Sequence, residues 1–247
     1  LVGLGGCASG NSSRLDAARK AYGRGNYAQA YRDAQLAVRS SDQAVADEAA
    51  YIAGLSAYHM QDLSSAQRYL QAAARSNKQD IANDAQALLG MVYAQRGQYE
   101  PAVRTFLDAA RRLKGQQRAN AYYYAGVTQQ KLGEWEGARK SLDQARRYSQ
   151  DPDFQRMVAT ALKTTGYTLQ FGAFADQAKA YKMAQTLASQ TAQHKLESPQ
   201  LVHATDAQGR ELVLVQVGRF ATYTSASSAR DHFRAEAPIV VPVTGEK

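Results

Sequence analysis

Tyr51-Ile52-Ala53-Gly54, Ala87-Leu88-Leu89-Gly90 and Tyr123-Tyr124-Ala125-Gly126 follow one another at a spacing of 36 residues, and this repetition decides the fold of the first two thirds of the chain. Twelve residues after each glycine stands an alanine (Ala66, Ala102, Ala138), and seven further on another (Ala73, Ala109, Ala145). Between them sits a larger apolar residue: Leu70, Phe106, Leu142. A weaker first copy carries Ala18, Ala30, Ala34 and Ala37. Small residues let helices approach closely, and the larger ones fill the gaps between pairs. The turns recur as well, as Gly25-Asn26-Tyr27, Gln61-Asp62-Leu63, Gly97-Gln98-Tyr99 and Gly133-Glu134-Trp135. They break each copy into two antiparallel helices.

This pattern resembles tetratricopeptide (TPR) repeats. It predicts an all-α solenoid over residues 14–165: four helix pairs over about 14–148, then a capping helix over Asp153–Lys163 with Phe154, Met157, Val158, Ala161 and Leu162 on one face. The resemblance implies a concave groove for extended peptides or partner helices, with Tyr22, Tyr51, Tyr58, Met91 and Tyr123 along it. Aromatic side chains suit apolar and amide contacts; the plainer alternative is that some of these tyrosines fill helix contacts. The Lys/Asn pattern by which some relatives clamp a terminal carboxylate is missing, its positions being Asp16, Ile52, Leu88 and Tyr124.

From Gly166 the helical period gives way to alternation. Tyr167–Phe174 reads as a strand and Asp176–Ala192 as a helix with Ala178, Tyr181, Ala184 and Leu187 on one face. Short strands follow at Leu201–Thr205, Glu211–Val217 and Ile239–Val243, with a hairpin turn at Asp206–Arg210. A helix capped by Thr224 runs to Arg234, and Pro242 suits an edge strand. The order is βαββαβ. Within it Leu169-Gln170-Phe171-Gly172-Ala173-Phe174 is echoed by Val215-Gln216-Val217-Gly218-Arg219-Phe220, with each glycine read as the exit from its strand.

This duplication resembles the SPOR domain of bacterial envelope proteins, over residues 166–247. The resemblance implies an α+β fold, a four-stranded antiparallel sheet with two helices on one face, whose open face binds peptidoglycan glycan strands stripped of stem peptides. Strand parity turns Leu169, Phe171, Val213, Val215 and Val217 toward the helices. Thr168, Gln170, Leu212, Leu214 and Gln216 then face outward. Family binding positions fall on Gln170, on Ala173 where relatives carry Ser, and on Leu212 and Leu214 where some carry Trp and Arg. The two leucines are left as an apolar platform for sugar rings; the alternative is that they pack on the solenoid or a partner.

The N-terminal residues 1–13 read as a signal-peptide remnant and short tether. Leu4-Gly5-Gly6-Cys7 resembles the lipobox of bacterial lipoproteins, which implies lipidation of Cys7 and further residues upstream. Ala8 after the cysteine, in place of Asp, points to the outer membrane. The alternative is a free thiol. Gly3-x-Gly5 lacks the βαβ unit a dinucleotide loop needs. Residues 8–13, if extended, reach roughly 20 Å at about 3.4 Å per residue.

Hydrophobic residues make up 45 % of the 247 and charged residues 21 %, which argues for a folded chain. One cysteine excludes an internal disulfide framework and any Cys-rich zinc site. The histidines (His59, His194, His203, His232) show no metal spacing, so no metal and no cofactor are expected. Glu134 and Glu136 sit in a repeat turn, with no second carboxylate segment of the kind glycan cleavage needs. The outward sheet positions carry no aromatic or basic residue, which argues against nucleic acid. The net charge of +8 is uneven: residues 1–164 hold 22 basic and 15 acidic residues (+7), and 165–247 hold 8 and 7 (+1). The expectation is a binding protein of the bacterial cell envelope on the periplasmic side, held to a membrane by lipid, with glycan strands and envelope or division proteins as partners. The alternative is a scaffold that recruits peptidoglycan enzymes, with glycan binding weak or lost.

Overall fold

In the computed structural model of the chain, the described residues are 6–233 and 235–243, with side chains from residue 10 onward. The side chain of Cys7 and its lipidation, and Arg234 as a helix end, lie outside them. The chain divides into two compact units: Leu1–Leu132 with Arg147–Ser149, and Gly133–Arg146 with Gln150–Lys247.

The first unit is built of α1 (Gly6–Gly23), α2 (Tyr27–Ala37), α3 (Gln43–His59), α4 (Leu63–Ala73), α5 (Gln79–Gln95), α6 (Tyr99–Arg112) and α7 (Gly115–Leu132). Every small residue that marks the repeat here is buried: Ala18, Ala30, Ala34, Ala37, Ala66, Ala73, Ala102 and Ala109 are all 0 % exposed. Leu70 fills the space left by Gly54, and Phe106 that left by Gly90. The left-handed turn position recurs at Gly25, Gln61 and Gly97, with φ of 73°, 62° and 73°. Asn26 and Asp62 next to it cap the following helices through Gln29 N and Ser65 N. A second repeated device ties helix starts together. Gln43 donates to Asp47, Gln79 to Asn83 and Gln116 to Asn120, and Asp47 also accepts from Ser76 of the next turn at 2.5 Å. Helix α1 begins at Gly6, so the segment 8–13, expected as an extended tether, is helical and spans about 9 Å at about 1.5 Å per residue.

The second unit holds α8 (Trp135–Tyr148, its Arg147 and Tyr148 grouped with the first unit), α9 (Pro152–Lys163), β1 (Tyr167–Phe174), α10 (Gln177–Gln193), β2 (Gln200–Thr205), β3 (Glu211–Phe220), α11 (Tyr223–Arg230), a 3-10 turn at Asp231–Phe233 and β4 (Ile239–Pro242). The strands form one antiparallel sheet in the order β2-β3-β1-β4, with Pro242 on an edge. Leu169, Val213, Val215 and Val217 pack with Ala180 and Leu187 of α10, Ala226 and Ala229 of α11, and Phe233. This is the helical N-terminal region followed by the α+β domain that the sequence leads one to expect.

Several local readings change. The cap of α11 is Thr222, not Thr224: its hydroxyl accepts from Ser225 N in a reciprocal capping box, and the helix stops at Arg230. Tyr181 is 57 % exposed and Met157 42 %, so the buried stripes are narrower than the apolar patterns. Gly172 is not a strand exit, because β1 runs on to Phe174. Its hydrogen makes room for a ring instead: a Cβ there would lie 2.6 Å from Phe174 Cε2.

Candidate functional site

The open face of the sheet is shaped by two bulges. Gln170 pairs with Gln216 but Gly172 with Val215, so β1 carries one extra residue. An extra residue resets the alternation of faces. Gln170 and Ala173, three positions apart, therefore share the outer face, while Phe171 and Phe174 both pack on the core. The second irregularity lies where Tyr167 pairs with Phe220 and Leu169 with Val217. There Gly218 has φ of 70°, and Phe220 covers it as Phe174 covers Gly172. The repeated Gly-x-Phe motif is thus a repeated bulge with a ring folded over its glycine.

Cross-strand pairing lays out the outer face in rows. Gln200 of β2, Gln216 of β3 and Gln170 of β1 form one row of three amides. Val202, Leu214 and Ala173 form the next, followed by Ala204 beside Leu212. Ala173 is exposed, and Gln170, Leu212 and Leu214 are half-buried. Thr168 and Gln216 face outward as expected but are only 2 % and 6 % exposed. The cause is the last turn of α9: Thr160, Lys163 and Thr164 line, with Thr168, Gln200 and Gln216, a cavity of about 400 Å³ at this end of the sheet. The Thr168 hydroxyl donates to the Val217 carbonyl at 3.2 Å. Nε2 of Gln216 has no hydrogen-bond partner among the described residues, a deficit that ordinarily costs about 1–3 kcal/mol.

In the first unit, two adjoining cavities of about 400 and 330 Å³ share Met91, Phe106 and Tyr124. Tyr51, Leu55 and Leu88 line one, and Tyr58, Tyr99 and Val127 the other. Tyr51, Tyr58 and Met91 are thus brought together. Tyr22 lines neither cavity; it is hydrogen-bonded to His59 Nε2 at 3.0 Å and packed on Tyr27. Tyr123 lines neither cavity and meets Tyr124 edge-on at 5.6 Å. Leu55, Leu88, Phe106 and Tyr124 were missed as lining residues. Their signal lay in the repeat, since Leu88 and Tyr124 occupy the frame position of Ile52, one residue after Tyr51. One end of the groove is polar. Asp84 is pushed above the usual carboxylate range by burial and by Asp80. Burial, Asp84 and Tyr22 together push the Tyr51 phenol up to about 12.

Among the described residues no group of three His, Cys, Asp or Glu could hold a metal, and no helix is long and apolar enough to cross a membrane. What the chain offers is surfaces: an apolar groove with an acidic end, and a sheet face of amides and leucines.

Residues 163–242 match the SPOR domain family. Residues 12–179 match the family of the N-terminal domain of EccA1, an ESX-1 type VII (T7SS) secretion system protein. Among solved structures, YrrB, "a TPR protein with an unusual peptide-binding site", is 23 % identical with a TM-score of 0.52, over 62 % of this chain and 75 % of its own. MamA from Desulfovibrio magneticus RS-1 is 18 % identical with a TM-score of 0.50, over 63 % of this chain and 92 % of its own. A MamA RS-1 double mutant is 16 % identical with a TM-score of 0.52 over the same shares. These likenesses show the helical-repeat fold. No curated protein matches the chain. The chain therefore has a TPR-like helical-repeat fold and belongs, through residues 12–179, to the family of the EccA1 N-terminal domain, with a SPOR domain over residues 163–242.

Proposed function

We propose that the protein is a non-catalytic adaptor of the bacterial cell envelope. Its SPOR domain binds peptidoglycan glycan strands stripped of stem peptides, and its TPR groove holds an extended segment of a protein partner. The observation that carries the glycan reading is the bulge that sets Gln170 and Ala173 on one face beside Leu214. Amides suit the hydroxyl and acetamido groups of amino sugars, and the half-buried leucines suit the apolar faces of sugar rings. In this reading Cys7 carries the lipid that holds the molecule to the outer membrane, facing the periplasm. A second reading, a scaffold for peptidoglycan enzymes or division proteins, is favoured by the joined apolar cavities around Met91, Phe106 and Tyr124.

The test is retention on sacculi. Wild type is expected to bind amidase-treated sacculi more than untreated ones, and Gln170→Ala to lose most of that difference. Equal low retention on both would remove the glycan reading and leave the scaffold. For the anchor, fatty-acid labelling of wild type and Cys7→Ala is compared; equal labelling removes lipidation.

A further inference from the structure

The cavity under the last turn of α9 has a chemistry of its own. Two of its walls are cationic, Lys163 and Arg219, and among the described residues no carboxylate lines it. Neither cation is ion-paired among the described residues. Arg219 Nη1 donates to the Lys163 carbonyl at 3.1 Å, which fixes the guanidinium at the rim. The carbonyl end of α9 contributes about half a negative charge there, against two full positive ones, so the site favours an anion. The floor is amide and hydroxyl: Gln216, 94 % buried by its 6 % exposure, keeps Nε2 without a partner among the described residues, and Thr168 lies beside it. Gln216 is also the middle of the row Gln200, Gln216 and Gln170, which spans roughly 10 Å across three strands about 4.8 Å apart. The cavity therefore continues into the sheet face that carries Gln170.

We propose that this cavity is a carboxylate subsite, in which Lys163 and Arg219 receive the free lactyl carboxylate of a muramic-acid residue whose sugar lies along the glutamine row. It rests on the glycan reading and deepens it. A stem peptide converts that carboxylate into a neutral amide with a chain attached, removing the charge the two cations recognise and adding bulk under α9. Selectivity for stripped strands then comes in part from a helix that precedes the sheet, not from the sheet alone.

The experiment uses the full chain and two soluble probes: amidase-stripped glycan strands, and the same strands with their lactyl carboxylates converted to carboxamides. Wild type is expected to bind the carboxylate strands about tenfold more tightly. Lys163→Gln with Arg219→Gln is expected to bind both probes equally and to lose the salt dependence of binding. Gln216→Leu, which fills the same space without an orphaned amide, keeps the fold and weakens binding to both probes several-fold. Equal affinity of wild type for both probes, or a double variant that keeps the preference, overturns the subsite while leaving glycan binding standing. Absence of binding to either probe overturns both.

Discussion

A Cβ built on Gly90 of α5 would lie 2.7 Å from Cδ1 of Phe106 on α6. The corresponding pair one repeat earlier is Gly54 and Leu70, at 2.6 Å from Cγ. The glycine and the large residue sixteen positions later are two halves of one contact. Phe106 is 1 % exposed, and to make room its ring would have to swing into the groove it lines. Gly90→Ala gains helix propensity of about 0.5–1 kcal/mol but crowds the Phe106 ring out of its present position at about 1–3 kcal/mol. The net expectation is a loss of about 1–2 kcal/mol and a melting temperature lower by several degrees, read from the helical circular-dichroism signal. An unchanged melt would mean that the repeat tolerates a methyl group at its closest helix contact.

Gln61 breaks the turn pattern. It holds φ of 62° where the neighbouring copies have Gly25 and Gly97. A side chain in the left-handed region costs about 1 kcal/mol relative to glycine. An exposed hydrogen bond from Gln95 Nε2 to Gln61 Oε1 at 2.9 Å compensates in part. Gln61→Gly is therefore expected to raise stability by about 0.5–1 kcal/mol, visible as a higher urea midpoint at unchanged slope. Gly97→Gln should lower the midpoint by a similar amount.

The helical repeat was legible because its contacts are local and periodic: Gly54, Leu70, Ala66 and Ala73 each recur on the same frame, and each is buried. The strands were legible from alternation, as Val213, Val215 and Val217 show. What strict alternation hides is a bulge. Counting by twos puts Gln170 and Ala173 on opposite faces; only the pairing of β1 with β3 restores them to one. The roof over Thr168 and Gln216 was hidden for another reason. It comes from Thr160, Lys163 and Thr164, polar residues at a helix end whose sequence pattern announces nothing about what they cover. The place of Tyr124 was hidden because three adjacent tyrosines, Tyr122, Tyr123 and Tyr124, offer one helical position each, and pattern alone does not choose among them.

The caps make the fold sensitive to acid in a defined way. Asp62 is held below the usual carboxylate range, first by the hydrogen bond from Ser65 N and then by the Ser65 side chain. The folded value lies below the unfolded one, so the cap's contribution is present above the ordinary value near 4 and is lost as pH falls through the folded value. Asp206 behaves alike: it accepts from Arg210 N and Gln208 N, both at 2.9 Å, and from Arg210 Nε at 2.6 Å, in the β2–β3 turn. Asp62→Ala is expected to cost about 1 kcal/mol at neutral pH. Between wild type and variant the difference should shrink below pH 4, measured by denaturant titration at each pH. A constant difference down to pH 2 would mean that the ionised carboxylate is not what caps α4.

Ala173 offers a gain of function. It is exposed, and its pairing with Leu214 places it on the open face three residues from Gln170. Ala173→Ser adds one hydroxyl at a solvent-exposed strand position, without entering the core held by Phe171 and Phe174 on the other side. One neutral hydrogen bond contributes about 0.5–1.5 kcal/mol, which is a two- to tenfold gain in affinity for stripped glycan strands. The gain should vanish when Gln170→Ala is introduced as well, since the two side chains would grip the same sugar. The same substitution should leave the melting temperature within about a degree of wild type, because a surface exchange away from the core shifts stability by no more than about 0.5 kcal/mol. A tighter complex that survives Gln170→Ala would place the sugar elsewhere on the face, nearer Leu212 and Leu214.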